Sequence, residues 1–392
     1  MRTYRELFRT PEFTPLFSTS ALSVAASTVS GLALGTLVHS ATGSSLLSAL
    51  AMFGPALVQV VGAATLLSAA DRLPPRAAMT GLTLAFAVAA GVQAVPALPV
   101  WAVFVVLAAE GLITSVGGGI RFGLLNEILT KDGYLLGRSV LNMAVGTLQI
   151  CGYALGGVLV VLLSPRGALL TGALLYVAAA AATRLGLTDR PPRATGRPSA
   201  AATWRVNARL WSSAPRRYVY LAPWVPNGLI VGCESLYLSY APEYAGLLFA
   251  CAALGMLVGD TLAGRFLPLR WRERLGAPMR LLLAVPYLLF FLEPGLFVAL
   301  AAVTLASVGF AASLLLQERL MRLPPDELSG QALGLHSSGM LTLQGIGALL
   351  AGTTAELTTP ATTMTIMAAA SVTVTLALAP GLRERAPIMA AA

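Results

Sequence analysis

Twelve long apolar stretches, each closed by a short polar or basic segment, set the rhythm of this chain. They fall at 13–38, 46–70, 77–95, 99–121, 139–163, 167–187, 218–240, 244–264, 278–292, 295–317, 330–356 and 360–380. Most have the roughly 18–25 residues that a helix needs to cross about 30 Å of hydrocarbon. The alternating segments of about 10 residues that build a transmembrane barrel are absent. The pattern predicts an all-α polytopic membrane protein with 12 transmembrane helices. Arg2, Arg5 and Arg9 precede the first stretch, as in a signal peptide. That stretch has about 25 apolar residues and eleven more follow it, so it reads as a retained first span.

Composition agrees. Of 392 residues, 56% are hydrophobic and 11% charged, with a mean hydropathy of +0.77. Soluble domains carry roughly 25% charged residues. The net charge of +9 would point to nucleic acid in a soluble protein. Here the loops account for it. With the N-terminus inside, the outer loops near 40–45, 96–98, 164–166, 241–243, 293–294 and 357–359 hold a single basic residue, Arg166. This is the positive-inside distribution, and it places both termini in the cytoplasm with no need of a nucleic-acid partner. The arginine-for-lysine bias and the alanine-rich spans match a GC-rich bacterial genome, hence a bacterial plasma membrane. Cys151, Cys233 and Cys251 all fall in apolar spans and read as small core residues.

The chain also resembles itself. Gly62–Arg76, GAATLLSAADRLPPR, returns 193 residues later as GMLVGDTLAGRFLPLR, Gly255–Arg270. Asn126-Glu127 is echoed by Gln317-Glu318, and Gly137 by Gly330. Two six-span bundles, 1–187 and 218–392, are expected on either side of a basic cytoplasmic segment, 188–217, which carries seven arginines. That is the organisation of transporters built from parallel repeats. Residues 188–217 read as a tether with positive-inside charge; a short basic amphipathic helix at Trp204–Trp211 is the alternative.

At this level the chain resembles the major facilitator superfamily. That family's loop after span 2 reads Gly-x-x-x-Asp-Arg-x-Gly-Arg-(Arg/Lys), and Asp71, Arg72 and Arg76 match it here. Leu67 stands at the first glycine, and Pro74-Pro75 replace Gly-Arg. The resemblance implies two pseudo-symmetric six-helix bundles. It also implies a cytoplasmic gating role for Asp71, Arg72 and Arg76, and for Asp260 and Arg265 in the echo. Gly152-Tyr153-Ala154-Leu155-Gly156-Gly157 is similar to the span-5 signature of drug–proton antiporters, with tyrosine in place of proline. Glycines at this spacing also suit any close helix crossing. In span 4 the family's Arg-x-x-Gln-Gly is replaced by Leu107 through Glu110-Gly111, so a glutamate stands where glutamine is expected.

Ionised groups in mid-bilayer cost about 2.5–3.5 kcal/mol even on lenient scales, so the acids within spans carry information. Glu110 in span 4 and Glu234 in span 7 are the candidate proton-coupling groups. Arg121, three turns after Glu110, is expected at the cytoplasmic end, snorkelling or pairing with Glu127. Three polar and aromatic stripes are candidate solute contacts. One holds Asn142, Gln149 and Tyr153. The second holds Tyr220, Trp224, Asn227 and Tyr237, on a span that Pro223 and Pro226 should interrupt. The third holds His336, Met340 and Gln344. Ser20, Ser23, Ser27 and Ser30 on span 1 read instead as a packing face.

No metal-spaced His/Cys set and no phosphate-binding loop occurs, and Gly117-Gly118-Gly119 sits in apolar helix. A cofactor, a metal and an enzymatic activity are not expected. The reading is a monomeric secondary active transporter that exports an amphiphilic small organic molecule in exchange for protons. Proton-linked uptake, facilitated diffusion, and a non-transporting sensor or lipid-handling protein remain as alternatives. The topology has a direct check. In a cysteine-free background, a cysteine placed at Ala97 should react with an impermeant maleimide from outside the cell, and one at Arg190 only after the membrane is opened.

Overall fold

The computed structural model describes residues 4–66, 73–129, 131–192, 200–267, 269–321 and 329–383. It is 91% helical, with no strand among the described residues. The elements run α1 (Tyr4–Arg9), α2 (Phe13–Thr42), α3 (Ser45–Leu66), α4 (Pro75–Gln93), α5 (Val100–Ile128), α6 (Lys131–Gly186), α7 (Ala200–Ser212), α8 (Ala214–Ser235) and α9 (Tyr237–Tyr240). They continue with α10 (Ala245–Thr261), α11 (Leu269–Ala284), α12 (Leu296–Val308), α13 (Ala312–Met321), α14 (Ser329–Leu357) and α15 (Pro360–Arg383). Eight helical stretches among the described residues are long and apolar enough to cross a membrane.

The helix ends follow from local chemistry. Gly43 (φ 65) closes α2 in the left-handed region, its N–H donating to the His39 carbonyl. Pro74 and Pro75 begin α4, with Pro75 in the first turn. A proline costs nothing there, because that N–H has no partner within the helix. The departure from the family loop is therefore a helix start. α6 runs for 56 residues and is broken at Ser164 (φ 71, ψ 164), followed by Pro165. Its apolar part alone, Ala144–Gly186, has 43 residues, about twice the length of one crossing. The break falls in the outer loop expected at 164–166.

Two expectations are corrected. α8 passes unbroken through Pro223 and Pro226, and the interruption comes at Leu236. α8 packs along both α14 and α15, and neighbouring helices are what make prolines tolerable within a span. The stretch expected to be a tether contains α7, a 13-residue helix. Its Leu210 is buried, while Arg205 and Arg209 are exposed.

The helices form two compact units. The first comprises Met1–Pro198 with Tyr237–Ala253, the second Ser199–Leu236 with Leu254–Ala392. In the first, α2 packs along α6, α3 against α5, and α4 against α5 and α6. Phe13, Leu16, Ile120, Leu124 and Leu125 are the centre of one core cluster, and Val29, Leu34, Leu107 and Leu169 of another. In the second unit, α8 packs on α14 and α15, and α11 on α12, α13 and α15. Large side chains such as Leu185 (86% exposed) and Phe297 (85%) point outward. On a soluble protein such exposure would be a liability; in a membrane protein it suits an apolar surrounding.

The internal echo has a packing counterpart within each unit. A Cβ on Gly62 would run into the Leu112 carbonyl and lie 2.8 Å from Ser115 Oγ; one on Gly255 would meet the Thr304 carbonyl and lie 2.8 Å from Ser307 Cβ. Both glycines thus let one helix touch the backbone of another. Gly62→Ala and Gly255→Ala should each lower stability by about 1–3 kcal/mol through overpacking. Gly81→Ala, where nothing lies within 4 Å, should be neutral or stabilising by less than about 1 kcal/mol. Thermal unfolding of the purified variants in detergent checks both outcomes.

Candidate functional site

Five helices of the first unit enclose a cavity of about 340 Å³. α2 contributes Thr19, Ser20, Ser23, Val24 and Ser27; α3 contributes Gln59. α4 supplies Met79, Leu82, Thr83 and Phe86, α5 supplies Thr114, Gly117 and Arg121, and α6 supplies Tyr176. The serine stripe read as a packing face therefore lines space in its first three members. The signal was present in the sequence, since serines three and four residues apart share a helix face. What was missing was the knowledge that no neighbouring helix fills that face.

Many of the hydroxyls are already engaged. Ser20 Oγ donates to the Leu16 carbonyl (2.9 Å), Ser27 to Val24 (2.9 Å), Thr83 to Met79 (2.9 Å) and Thr114 to Glu110 (2.6 Å). Thr19 and Thr183 share a hydrogen bond of 2.9 Å. Ser23 and Gln59 have no hydrogen-bond partner among the described residues, so their donors are available to a solute.

Glu110 stands one turn from this wall. Successive positions Glu110, Thr114, Gly117 and Arg121 advance by four, three and four residues, which keeps them on one face of α5. Gln93 Nε2, buried at 2% exposure, donates to Glu110 Oε2 at 3.4 Å. The buried Tyr176, hydrogen-bonded to Ser27, lies close enough to feel the Glu110 charge. A titratable acid thus abuts the cavity without lining it. Arg121 does line it, about 16 Å further along the helix axis. Glu127 pairs with Arg190 Nε, at 3.6 Å.

The other expected contacts are distributed as follows. Tyr220, Trp224 and Asn227 of α8 face His336, Met340 and Gln344 of α14. Tyr220 Oη and Trp224 Nε1 donate to the carbonyls of Ala332 (3.4 Å) and His336 (3.0 Å), and Gln344 Nε2 donates to Asn227 Oδ1 at 3.0 Å. Met340 packs on the cluster around Val219, Tyr220 and Trp224. The two stripes are thereby brought together and bond each other. Trp211 of α7 stacks on Trp224, with ring centroids 5.7 Å apart. Tyr237 lies beyond the Leu236 break, edge-on to Phe249 (4.9 Å), and Tyr153 stacks on the same ring (4.8 Å). Gln149 is half-buried on α6, and the side chain of Asn142 lies outside the described residues. Glu234 is buried, at 5% exposure, and its Oε1 has no partner among the described residues; the same holds for His336 Nδ1.

Of the residues expected to act in gating, Asp71, Arg72 and the side chain of Arg265 lie outside the described residues, and Asp260 is exposed near the end of α10. Arg76 pairs with Asp189 (3.1 Å) and reaches the Leu187 carbonyl (3.4 Å). Beside it Arg190 grips Glu12 with two nitrogens, at 2.9 and 3.1 Å. Thr188 donates to the same carboxylate from its N–H and its hydroxyl. Glu12 adopts a left-handed backbone (φ 67) at the start of α2. Such a conformation costs a non-glycine residue of order 1–3 kcal/mol, and the four donors hold it there. This network binds the beginning of α2 to the chain following α6.

No family model matches the sequence, and neither does any curated protein. Solved structures do match, and they are of the major facilitator type. A point mutant of the nucleoside transporter NupG superposes with a TM-score of 0.78 at 12% identity, over 94% of this chain and 99% of that one. A POT family transporter in complex with 5-aminolevulinic acid gives 0.75 at 10% identity, over 95% and 96%. A bacterial homolog of the human lysosomal transporter Spinster, inward-facing and unoccupied, gives 0.70 at 13% identity, over 97% of both chains. The fold is an all-α polytopic membrane fold of this type.

The Glu12 network carries a pH signature. Burial works against the Glu12 carboxylate, but the Thr188 and Arg190 contacts prevail and hold its pKa below the ordinary 4.5. Its contribution to stability is therefore present above 4.5 and is lost as pH falls through the lower folded value. Glu12→Gln should unfold at a lower temperature than wild type at about pH 7, and the gap should close as the pH is lowered past 4.5.

Proposed function

We propose that the chain is a secondary active transporter in which the cavity of the first unit holds the solute and Glu110 carries a coupling proton. One observation carries the reading: in a fold shared with transporters, a carboxyl in a span sits one helical turn from a solute-sized cavity whose wall includes serine, threonine, glutamine and arginine side chains. A group so placed can gain or lose a proton as the cavity is filled and emptied, which is what coupling requires. Glu234, the buried acid of the second unit, is the second coupling candidate.

The arrangement we carry forward has 12 crossings in two six-helix halves, 1–187 and 218–392, joined by 188–217, with both termini in the cytoplasm of a bacterium. The halves alternate access as in other parallel-repeat transporters. Asp71, Arg72 and Arg76, with Asp260 and Arg265, serve the cytoplasmic latch. The protein works as a monomer. The aromatic and amide residues of α8 and α14 act by positioning those helices, and the similarity of span 5 to antiporter sequences favours export. A second reading, proton-linked uptake of a polar solute, gains from the Ser23 hydroxyl and Gln59 amide on the cavity wall.

The test is a flux screen in reconstituted vesicles, with and without an imposed pH gradient. Solute movement should accelerate under the gradient, and its sign separates antiport from symport. Glu110→Gln should abolish the gradient-driven component while solute still binds; undiminished coupling in that variant would sink the assignment.

A further inference from the structure

The segment between the two six-span groups carries a charged surface that no step of transport uses. No acidic residue occurs between Asp189 and Glu234. Within that acid-free run, α7 and the first turn of α8 hold Arg205, Arg209, Arg216 and Arg217. Arg205, Arg209 and Arg217 are exposed. Arg205 and Arg209 are four residues apart and share one face of α7. Another side of the helix is held down. Leu210 is buried, and Trp211 stacks on both Trp224 (5.7 Å) and Tyr220 (6.2 Å) of α8. Trp224 and Tyr220 in turn donate to backbone carbonyls of α14. α7 is therefore a fixed rib rather than a loose tether, and only Ser213 separates it from α8. Proceeding from the proposed arrangement, in which α8 starts the seventh crossing, we infer that this arginine face seats the anionic headgroups of phospholipids in the leaflet where α8 begins.

Position and charge select the occupant. Arginines clustered beside a crossing, or on an amphipathic surface helix, each gain about fivefold in affinity from an anionic leaflet. A guanidinium fork bonds a phosphate oxygen pair in two places at once. A zwitterionic headgroup offers the same phosphate, but its own cation repels the arginines. A soluble phosphate offers the same atoms without the summed field of a surface. Trp211 is 38% exposed although its ring is stacked, and tryptophans that are part packed and part wet are typical of the membrane–water boundary. Because Trp211 is stacked on α8, headgroup binding also steadies Trp224 and Tyr220, and through them the contact with α14.

Thermal unfolding of the whole purified protein in detergent reads the binding, with dioleoylphosphatidylglycerol or dioleoylphosphatidylcholine added to the micelles. A ligand that binds only the folded form raises the unfolding temperature with its concentration. Wild type should reach a given stabilisation with at least about tenfold less of the anionic lipid than of the zwitterionic one. Glycerol 1-phosphate at the same concentration should not stabilise. Arg209→Gln with Arg217→Gln should erase most of the preference, and Arg209→Lys with Arg217→Lys should keep it. Arg5→Gln with Arg9→Gln removes the same charge from exposed positions of α1 and should keep it too. Equal response to the two lipids, or matching stabilisation by glycerol phosphate, would overturn the inference. So would a preference that survives the first pair of substitutions, or one lost equally in the α1 pair. The wild-type comparison stands even if a variant misfolds. Maleimide labelling of a cysteine at the exposed Ala208, in a cysteine-free background, separates this inference from the arrangement beneath it. Labelling from outside the cell removes the cytoplasmic placement and leaves the lipid surface. Labelling only after the membrane is opened, with no lipid preference, removes the lipid surface and leaves the placement.

Discussion

Hydrocarbon offers a peptide group nothing to bond with, so each crossing must satisfy its own backbone and helices must hold together without a hydrophobic drive between them. That constraint accounts for most of what the structure contains. Small residues stand where helices cross, because contact alone must supply the attraction. Serines and threonines within spans return their protons to carbonyls one turn back, as Ser20, Thr28 and Thr114 do. Polar side chains that reach further, such as Gln344 to Asn227, do so between helices.

Much of this was legible in the residues. Runs of apolar side chains, and the arginines that punctuate them, gave the helices nearly their full lengths. The outer break in α6 was marked by a serine, a proline and a single arginine. The facing stripes on α8 and α14 were each visible as a periodicity, although nothing in either run stated that they would find one another. What escaped notice depended on partners distant in sequence. Arg190 sits in a polar stretch that looked like tether, yet it grips a carboxylate 178 residues earlier. The serines of α2 could line a helix contact or a cavity with equal right, and only the placement of α3, α4 and α5 decides between them. Pro74 and Pro75 stand where the family loop has Gly-Arg, and by helix chemistry they are a start signal.

The two ends of the α5 stripe do different work. Glu110 accepts a hydrogen bond from Gln93, while Arg121 lines the cavity about 16 Å away. Separation by three helical turns keeps acid and base from neutralising each other directly.

Gly62 and Gly255 share a property that outlasts their sequence context. Each abuts a backbone carbonyl of the facing helix, and a carbonyl is the one neighbour that mutation cannot alter. A glycine opposite a side chain can be released when that side chain shrinks; a glycine opposite a peptide oxygen cannot. At these two positions the demand for glycine does not depend on which side chain the facing helix carries, so no single compensating substitution there relieves it.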